Sequence, residues 1–199
     1  MMQHNYTNYS GGATGADSAW DIIGRDMGFI NHIHYYHGKR TPLGNKLLSD
    51  TDIAEGINHA KKAAKVLGRN WSDKYSSLLG RNWFQVKNST RILAISRLVI
   101  PGNTNSRGFK SKSNKVTVDG GTGYAVEMAI ANNKEVFVFD CISELWYNWI
   151  YNRYIECEIP ILSLNYAGIG TRDLTDAGII AIVDVYKKTI KEYEKHNYI

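Results

Sequence analysis

YSGGATGADSAW, residues 9–20, decides how the rest of the chain is read. An extended stretch, HNYTNY, runs through three glycines into a segment with Ala16, Ala19, Trp20, Ile23 and Met27 at helical spacing, which stops at Gly28. Glycine loses more conformational freedom on folding than any other residue, so three in one turn ask for a reason. A strand feeding a helix through glycines supplies one. The first backbone N–H groups of the helix are unpaired, the helix dipole adds positive potential, and the missing Cβ lets an anion approach the backbone.

The same plan recurs twice. NKVTV leads through DGGTG into YAVEMAIANN and then the β-rich EVFVFD. PILSLNY leads through AGIGTR into a long helix with Ile179, Ile182, Val183, Tyr186, Ile190 and Tyr193 on one face. FINHIHYY and RILAIS (residues 91–96) read as strands, IAEGINHAKKAAKVL and SSLLGRNWFQVKNS as helices. Strands alternating with helices predict an α/β protein with a mainly parallel sheet covered on both faces. In such a sheet the turns gather at the carboxyl ends of the strands near a topological switch point, so several of them face one ligand.

A chain of 199 residues is long enough for one well-buried core, and one domain spanning residues 1–199 is expected. No apolar run approaches the roughly 20 residues that cross a bilayer, so no membrane partner is expected. MMQHNYTNYS has neither the basic start nor the apolar centre of a secretory signal. Cys141 and Cys157 show no metal-ligand spacing and suggest no disulfide framework; a cytoplasmic location is the simplest expectation. A net charge of +5 favours anionic partners. Tyrosines number 13 against 5 phenylalanines, which suggests rings with a polar handle at a pocket. Residues 101–119 are polar and basic, with Arg107, Lys110, Lys112 and Lys115 and no helical period, as in a functional flap or a disordered segment. GRNW occurs at residues 68 and 80 and is read as coincidence.

Neither the G-x-G-x-x-G spacing of dinucleotide folds nor a G-x-x-x-x-G-K-[ST] loop is present, which disfavours ATP hydrolysis of the usual kind. SGGATGAD resembles instead the S-G-G-x-x-G-x-D turn of the SLOG superfamily, which includes the Lonely Guy phosphoribohydrolases, the DNA-processing protein A family and molybdenum-cofactor carriers. DGGTGYAVE (Asp119 to Glu127) is similar to the Lonely Guy signature P-G-G-x-G-T-x-x-E, with Asp119 in place of proline and Tyr124 in place of threonine. AGIGTR (Ala167 to Arg172) is similar to the first strand and turn of many SLOG proteins, written G-S-R. The resemblance implies a Rossmann-like open sheet. AGIGTR comes last in this chain, where the family has it first, which implies a circular permutation that keeps the strand before AGIGTR away from a far edge.

These turns define the candidate ligand-binding residues: Ser10, Gly11, Gly12, Ala13, Thr14 and Asp17; Gly120, Gly121, Thr122, Gly123 and Glu127; Gly170, Thr171 and Arg172. Asp17 reads as a helix cap or a ribose ligand. Glu127, placed on the first helical turn, reads as a ribose ligand, the catalytic carboxylate of a phosphoribohydrolase, or a structural helix-start residue. Arg81, with Asn82 and Gln85, forms either a polar edge over the ligand or a solvated face. Ser96 ends RILAIS, and Tyr36 and Lys39 suit a nucleobase and a phosphate. His32 and His34 share a strand face that His37 does not, so a metal site is disfavoured, and no cofactor is called for. ELWYNWIYNRY (144–154) reads as packing or an oligomer surface.

The resemblance implies a binder of a nucleotide-derived small molecule, a cyclic ADP-ribose-type or cyclic oligonucleotide signal, sequestered in phage and bacterial conflict. Homo-oligomerisation goes with it. The alternatives are a nucleoside 5′-monophosphate phosphoribohydrolase and a single-stranded DNA-binding protein using the basic segment.

Overall fold

The computed structural model describes residues 4–38 and 45–197. The first third of the chain gives β1 (Thr7–Ser10), α1 (Ala16–Asp26), β2 (Asn31–His37), β3 (Lys46–Leu48) and α2 (Asp50–Val66). There follow α3 (Ser76–Asn88), β4 (Arg91–Ser96), β5 (Leu98–Val99), β6 (Thr117–Val118) and α4 (Thr122–Ala131). The chain closes with β7 (Glu135–Asp140), β8 (Leu145–Ile150), β9 (Arg153–Cys157), β10 (Asn165–Gly170) and α5 (Asp176–Asn197).

Eight strands make one sheet in the order β3-β2-β1-β10-β4-β7-β8-β9. All neighbours from β3 to β7 are parallel, and β8 and β9 add an antiparallel hairpin at the edge. The run read as a packing surface is thus that hairpin. Tyr151 and Asn152 turn it with φ of 51° and 57°, the paired positive φ values of a tight hairpin turn. This is a Rossmann-like open α/β fold.

Each face of the sheet has its own core. On one side Trp20 of α1 and Ile182, Val185 and Tyr186 of α5 cover Leu93, Ile95 and Tyr166. On the other, α2, α3 and α4 cover Tyr35, Ile92, Ala94, Val136, Val138 and Ile169. The helix start signals hold locally: Ser49 and Asp52 form a reciprocal capping box at the head of α2. The buried stripe of α5 differs from the sequence expectation. Ala181, Ile182, Val185, Tyr186 and Thr189 face the core, while Ile179 and Tyr193 are largely exposed.

Two strand expectations need correction. NKVTV does not enter the main sheet; only Thr117 and Val118 are extended, paired antiparallel with β5. AGIGTR is not a glycine turn, because Ala167 to Gly170 is the body of β10, in the middle of the sheet between β1 and β4. Its glycines serve packing. A Cβ on Gly168 would lie 2.5 Å from the Trp20 ring, and one on Gly170 would strike the Ile95 carbonyl and the Ala16 methyl.

The helices change face between β10 and β4: α1 and α5 belong to one side, α2 to α4 to the other. In open α/β sheets that is where ligands bind, at the carboxyl ends of the two strands.

Candidate functional site

At the head of α1, Gly12 has φ of +61°, and its N–H donates to the Ser10 hydroxyl at 3.2 Å. Gly15 lies flat against the backbone of Thr171 and Arg172, where a side chain has no room, and Ala16 N–H donates to the Thr171 carbonyl at 2.9 Å. The turns after β1 and β10 therefore touch. Asp17 stitches them together: its buried carboxylate accepts from Gly170 N–H at 3.0 Å and also from the Ala13 backbone. The helix-cap role gives way to this one, because Asp17 lies inside α1, whose cap residue is Gly15.

Burial pushes the Asp17 pKa up to about 6, against the pull of those two N–H groups, with the nearby Asp21 charge adding to the rise and Arg81 opposing it. A raised folded pKa means that ionising Asp17 works against folding. Its contribution is intact below the unfolded value near 4 and is lost as pH rises through 6, an effect of about 3 kcal/mol. The stability lost by the wild type between pH 4.5 and 7 is therefore expected to exceed the loss in Asp17→Asn. Equal losses in urea titrations would refute this.

Gly11 carries the turn past α3. A Cβ on it would meet Asp17 Oδ2 at 2.6 Å and Gln85 Nε2 at 3.0 Å, with an Arg81 guanidinium nitrogen at 3.7 Å. Arg81 is half-buried, and its guanidinium lies 5.9 Å from the centre of the Tyr36 ring. Its Nε is buried without a hydrogen-bond partner among the described residues. Burial lowers its pKa while Asp17 and Tyr36 favour the charge. Ser10, Gly11, Asp17, Tyr36, Arg81 and Gln85 are thus brought together at this turn. Ser96 is buried at the end of the neighbouring β4, and Thr14 and Arg172 are exposed on the two touching turns. Lys39 lies outside the described residues.

The head of α4 is built differently. Gly120 has φ of +61°, and open space stands over both Gly120 and Gly121, whereas Gly123 packs against the Val118 carbonyl. Arg69 braces this turn from below, donating to Gly120 O at 2.5 Å and Val118 O at 2.9 Å. Asp119 accepts from Ser106 N–H at 2.7 Å and Gly120 N–H at 2.6 Å, and burial, which would raise its pKa, is outweighed by those bonds and by Arg69.

Comparison with protein-family models, with curated proteins and with solved structures gives no match.

Glu127 departs from its expected place. It lies on the second turn of α4, is almost fully buried, and pairs through Oε2 with Lys115 at 2.8 Å. Burial raises its pKa, with Lys115 and Arg69 opposing, and Oε1 has no partner among the described residues. Lys115 also lies 4.5 Å from the centre of the Trp149 ring. The basic segment also folds on itself, Ser111 N–H donating to the Asn103 carbonyl at 2.8 Å, and is anchored to α2 by the Ser113 hydroxyl donating to the Val66 carbonyl at 3.0 Å.

Sequence reasoning missed two residues, Arg69 and Asp21. Arg69 and Arg81 are the arginines of the two GRNW stretches, and each comes to rest at a glycine turn, one at Gly120 and the other at Gly11. The contexts differ, since Gly68 ends α2 with φ of +63° while Gly80 lies inside α3. Asp21 lies four residues after Asp17 on the same helical face. It accepts from His32 and His34, the pair considered for a metal. His37 bridges Ser77 Oγ at 3.0 Å and Asp50 at 2.8 Å, an order like a hydrolytic triad, but the Asp50 carboxylate is wholly in water and orients little.

Proposed function

We propose that the chain binds a nucleotide-derived anion at the carboxyl ends of β1, β10 and β4. Arg81 carries the reading. A guanidinium beside a glycine turn, over a tyrosine ring and with a buried N–H to spare, is a fork awaiting oxygen acceptors. Phosphate supplies those acceptors and a nucleobase or ribose suits the Tyr36 side of the crevice. The backbone over Gly120 and Gly121 is a second glycine turn open to an anion. The class is a nucleotide signal of the cyclic ADP-ribose or cyclic oligonucleotide kind, held by sequestration. The SLOG resemblance of SGGATGAD and DGGTGYAVE supports that class, and the central place of β10 is the arrangement a permuted SLOG chain would have.

Mass spectrometry of small molecules released by heat from the purified protein is expected to find a phosphate-containing nucleoside derivative. Thermal-shift titration with AMP, ADP-ribose, cyclic ADP-ribose and a cyclic dinucleotide should find stabilisation by at least one. No released nucleotide and no shift with any of the four would overturn the reading.

The unpartnered Glu127 Oε1 favours one second reading, hydrolysis of the bond between a base and ribose 5′-phosphate. Release of free base from AMP, abolished in Glu127→Ala, would make the protein an enzyme. The Lys115 pair on the other oxygen weighs against this, because it ties the carboxylate to the basic segment.

A further inference from the structure

Two stretches that the anion site leaves unused, the basic segment and the aromatic hairpin of β8 and β9, meet at a cavity of about 380 Å³. Arg97, Leu98 and Val99 enter it from the end of β4 and from β5, and Asn103 and Val116 of the basic segment add a second wall. Tyr147 and Tyr154 of the hairpin supply a third. They share one face of that hairpin, because Tyr147 lies opposite Glu156 and Trp149 opposite Tyr154. Trp149 meets the Tyr154 ring edge-on at 4.8 Å and holds it in place. The segment wall is fixed too. Asn103 N–H donates to the Ile100 carbonyl at 3.0 Å, Ser106 N–H donates to the Asp119 carboxylate at 2.7 Å, and Thr104 bridges to Lys110. The lining is mainly apolar with a few polar groups, and the volume falls near the low end of the roughly 300–1,000 Å³ typical of small-molecule sites.

Charge decides what the cavity takes. Asp140 is its one carboxylate among the described residues, and both oxygens are occupied. Oδ1 accepts from Leu98 N–H at 2.9 Å, and Oδ2 accepts from Ser143 N–H at 3.1 Å and the Ser143 hydroxyl at 2.9 Å. Arg97 is half-buried and pairs with no carboxylate among the described residues. Its guanidinium has one partner there, the Thr104 carbonyl, at a long 3.3 Å. Most of the fork is left for a carboxylate or a phosphate. Tyr154 offers the cavity its ring, since its hydroxyl is buried and has no partner among the described residues. Ile100 and Ile142 also line the cavity and are 56% and 70% exposed, apolar surface that the body of a ligand would cover.

We propose that this cavity is a second binding site, for a small aromatic compound with one anionic group. Its ring packs against Leu98, Ile142 and Tyr147, and its carboxylate or phosphate takes the Arg97 fork. Two tyrosines in the wall favour a flat ring over an alkyl chain, because aromatic pairs gain more than the area they bury. None of these residues belongs to the turn around Arg81, so the site stands or falls separately from the nucleotide reading.

The probes are cinnamate and phenyl phosphate, titrated into the full chain by calorimetry and followed in backbone amide spectra. At least one should bind saturably and shift the amides of Leu98 and Tyr147, and the tighter of the two names the anionic end. Cinnamyl alcohol, which lacks the charge, should bind at least about tenfold more weakly than cinnamate. Nonanoate, with the same number of carbons but no ring, should be weaker by about threefold or more. Arg97→Gln should keep the wild-type Tm and weaken the preferred probe at least about tenfold. Leu98→Trp, which fills the cavity, should abolish binding, while Arg81→Ala should bind the probe as the wild type does. Failure of both probes to bind would overturn the proposal and leave the nucleotide site untouched. Binding that survives both Arg97→Gln and Leu98→Trp, or that is lost in Arg81→Ala, would place the probe elsewhere and overturn it as well. Equal binding of the alcohol or of nonanoate would overturn the ligand class.

Discussion

Replacing Asp21 by alanine is expected to destabilise the fold by about 3–5 kcal/mol, the range for removing one partner of a buried ion pair. The change strips the acceptor from Asn8, His32 and His34 together and leaves the His32 ring buried with only the Phe29 carbonyl. Asn8 passes the damage on, because its other end accepts Gly168 N–H at 2.8 Å and so ties α1 to the central strand. In a chain of this size the loss corresponds to a Tm lower by on the order of 10 °C. Asp21→Asn should be milder, since an amide oxygen in the Oδ1 place still accepts from Asn8 and His32. A cost below about 1 kcal/mol for the alanine variant would show that the cluster adds nothing to stability.

Arg81→Ala should do the opposite, harming function and sparing the fold. Two hydrogen bonds from a guanidinium to phosphate are worth about 1.5–3 kcal/mol each, so nucleotide affinity is expected to fall at least about 100-fold. Stability should be unchanged or higher, because the variant removes a half-buried cation whose Nε bonds nothing in the free protein. Arg81→Lys keeps the charge but not the fork and should recover only part of the affinity. Binding of AMP or ADP-ribose to Arg81→Ala at wild-type strength would remove Arg81, and with it the proposed site.

Much of the fold could be read from the chain because its signals are local. Leu79, Trp83 and Val86 mark the buried stripe of α3, and RILAIS is apolar on both faces, as a central parallel strand must be. Failures came where tertiary contact decides. Glycine in AGIGTR looks the same whether it turns the chain or makes room for Trp20, and only the packed helix tells which. Likewise Lys115 lies 12 residues from Glu127 in a segment without periodicity, so nothing local announces their pairing. In the candidate site, Arg81 and Asp17 were accessible as charged residues beside a glycine turn. The Asp21 network was not, because Asn8 and Asp21 carry no motif and meet His32 and His34 only when β1, β2 and α1 assemble.

The central position of β10 also governs how the molecule can be made. Thr7 of β1 pairs with Asn165, and Tyr166 to Gly170 pair with β4, so the sheet has a vacant middle until the last strand emerges. A growing chain already holds β1 to β3 and β4 to β9 as two half-sheets, each with an unpaired inner edge that is a template for other chains. Joining them waits for contacts about 158 residues apart in sequence, the separation of Thr7 and Asn165, which are slow to form. Until then the crevice between β10 and β4 does not exist, so the proposed site waits for β10 to enter the sheet.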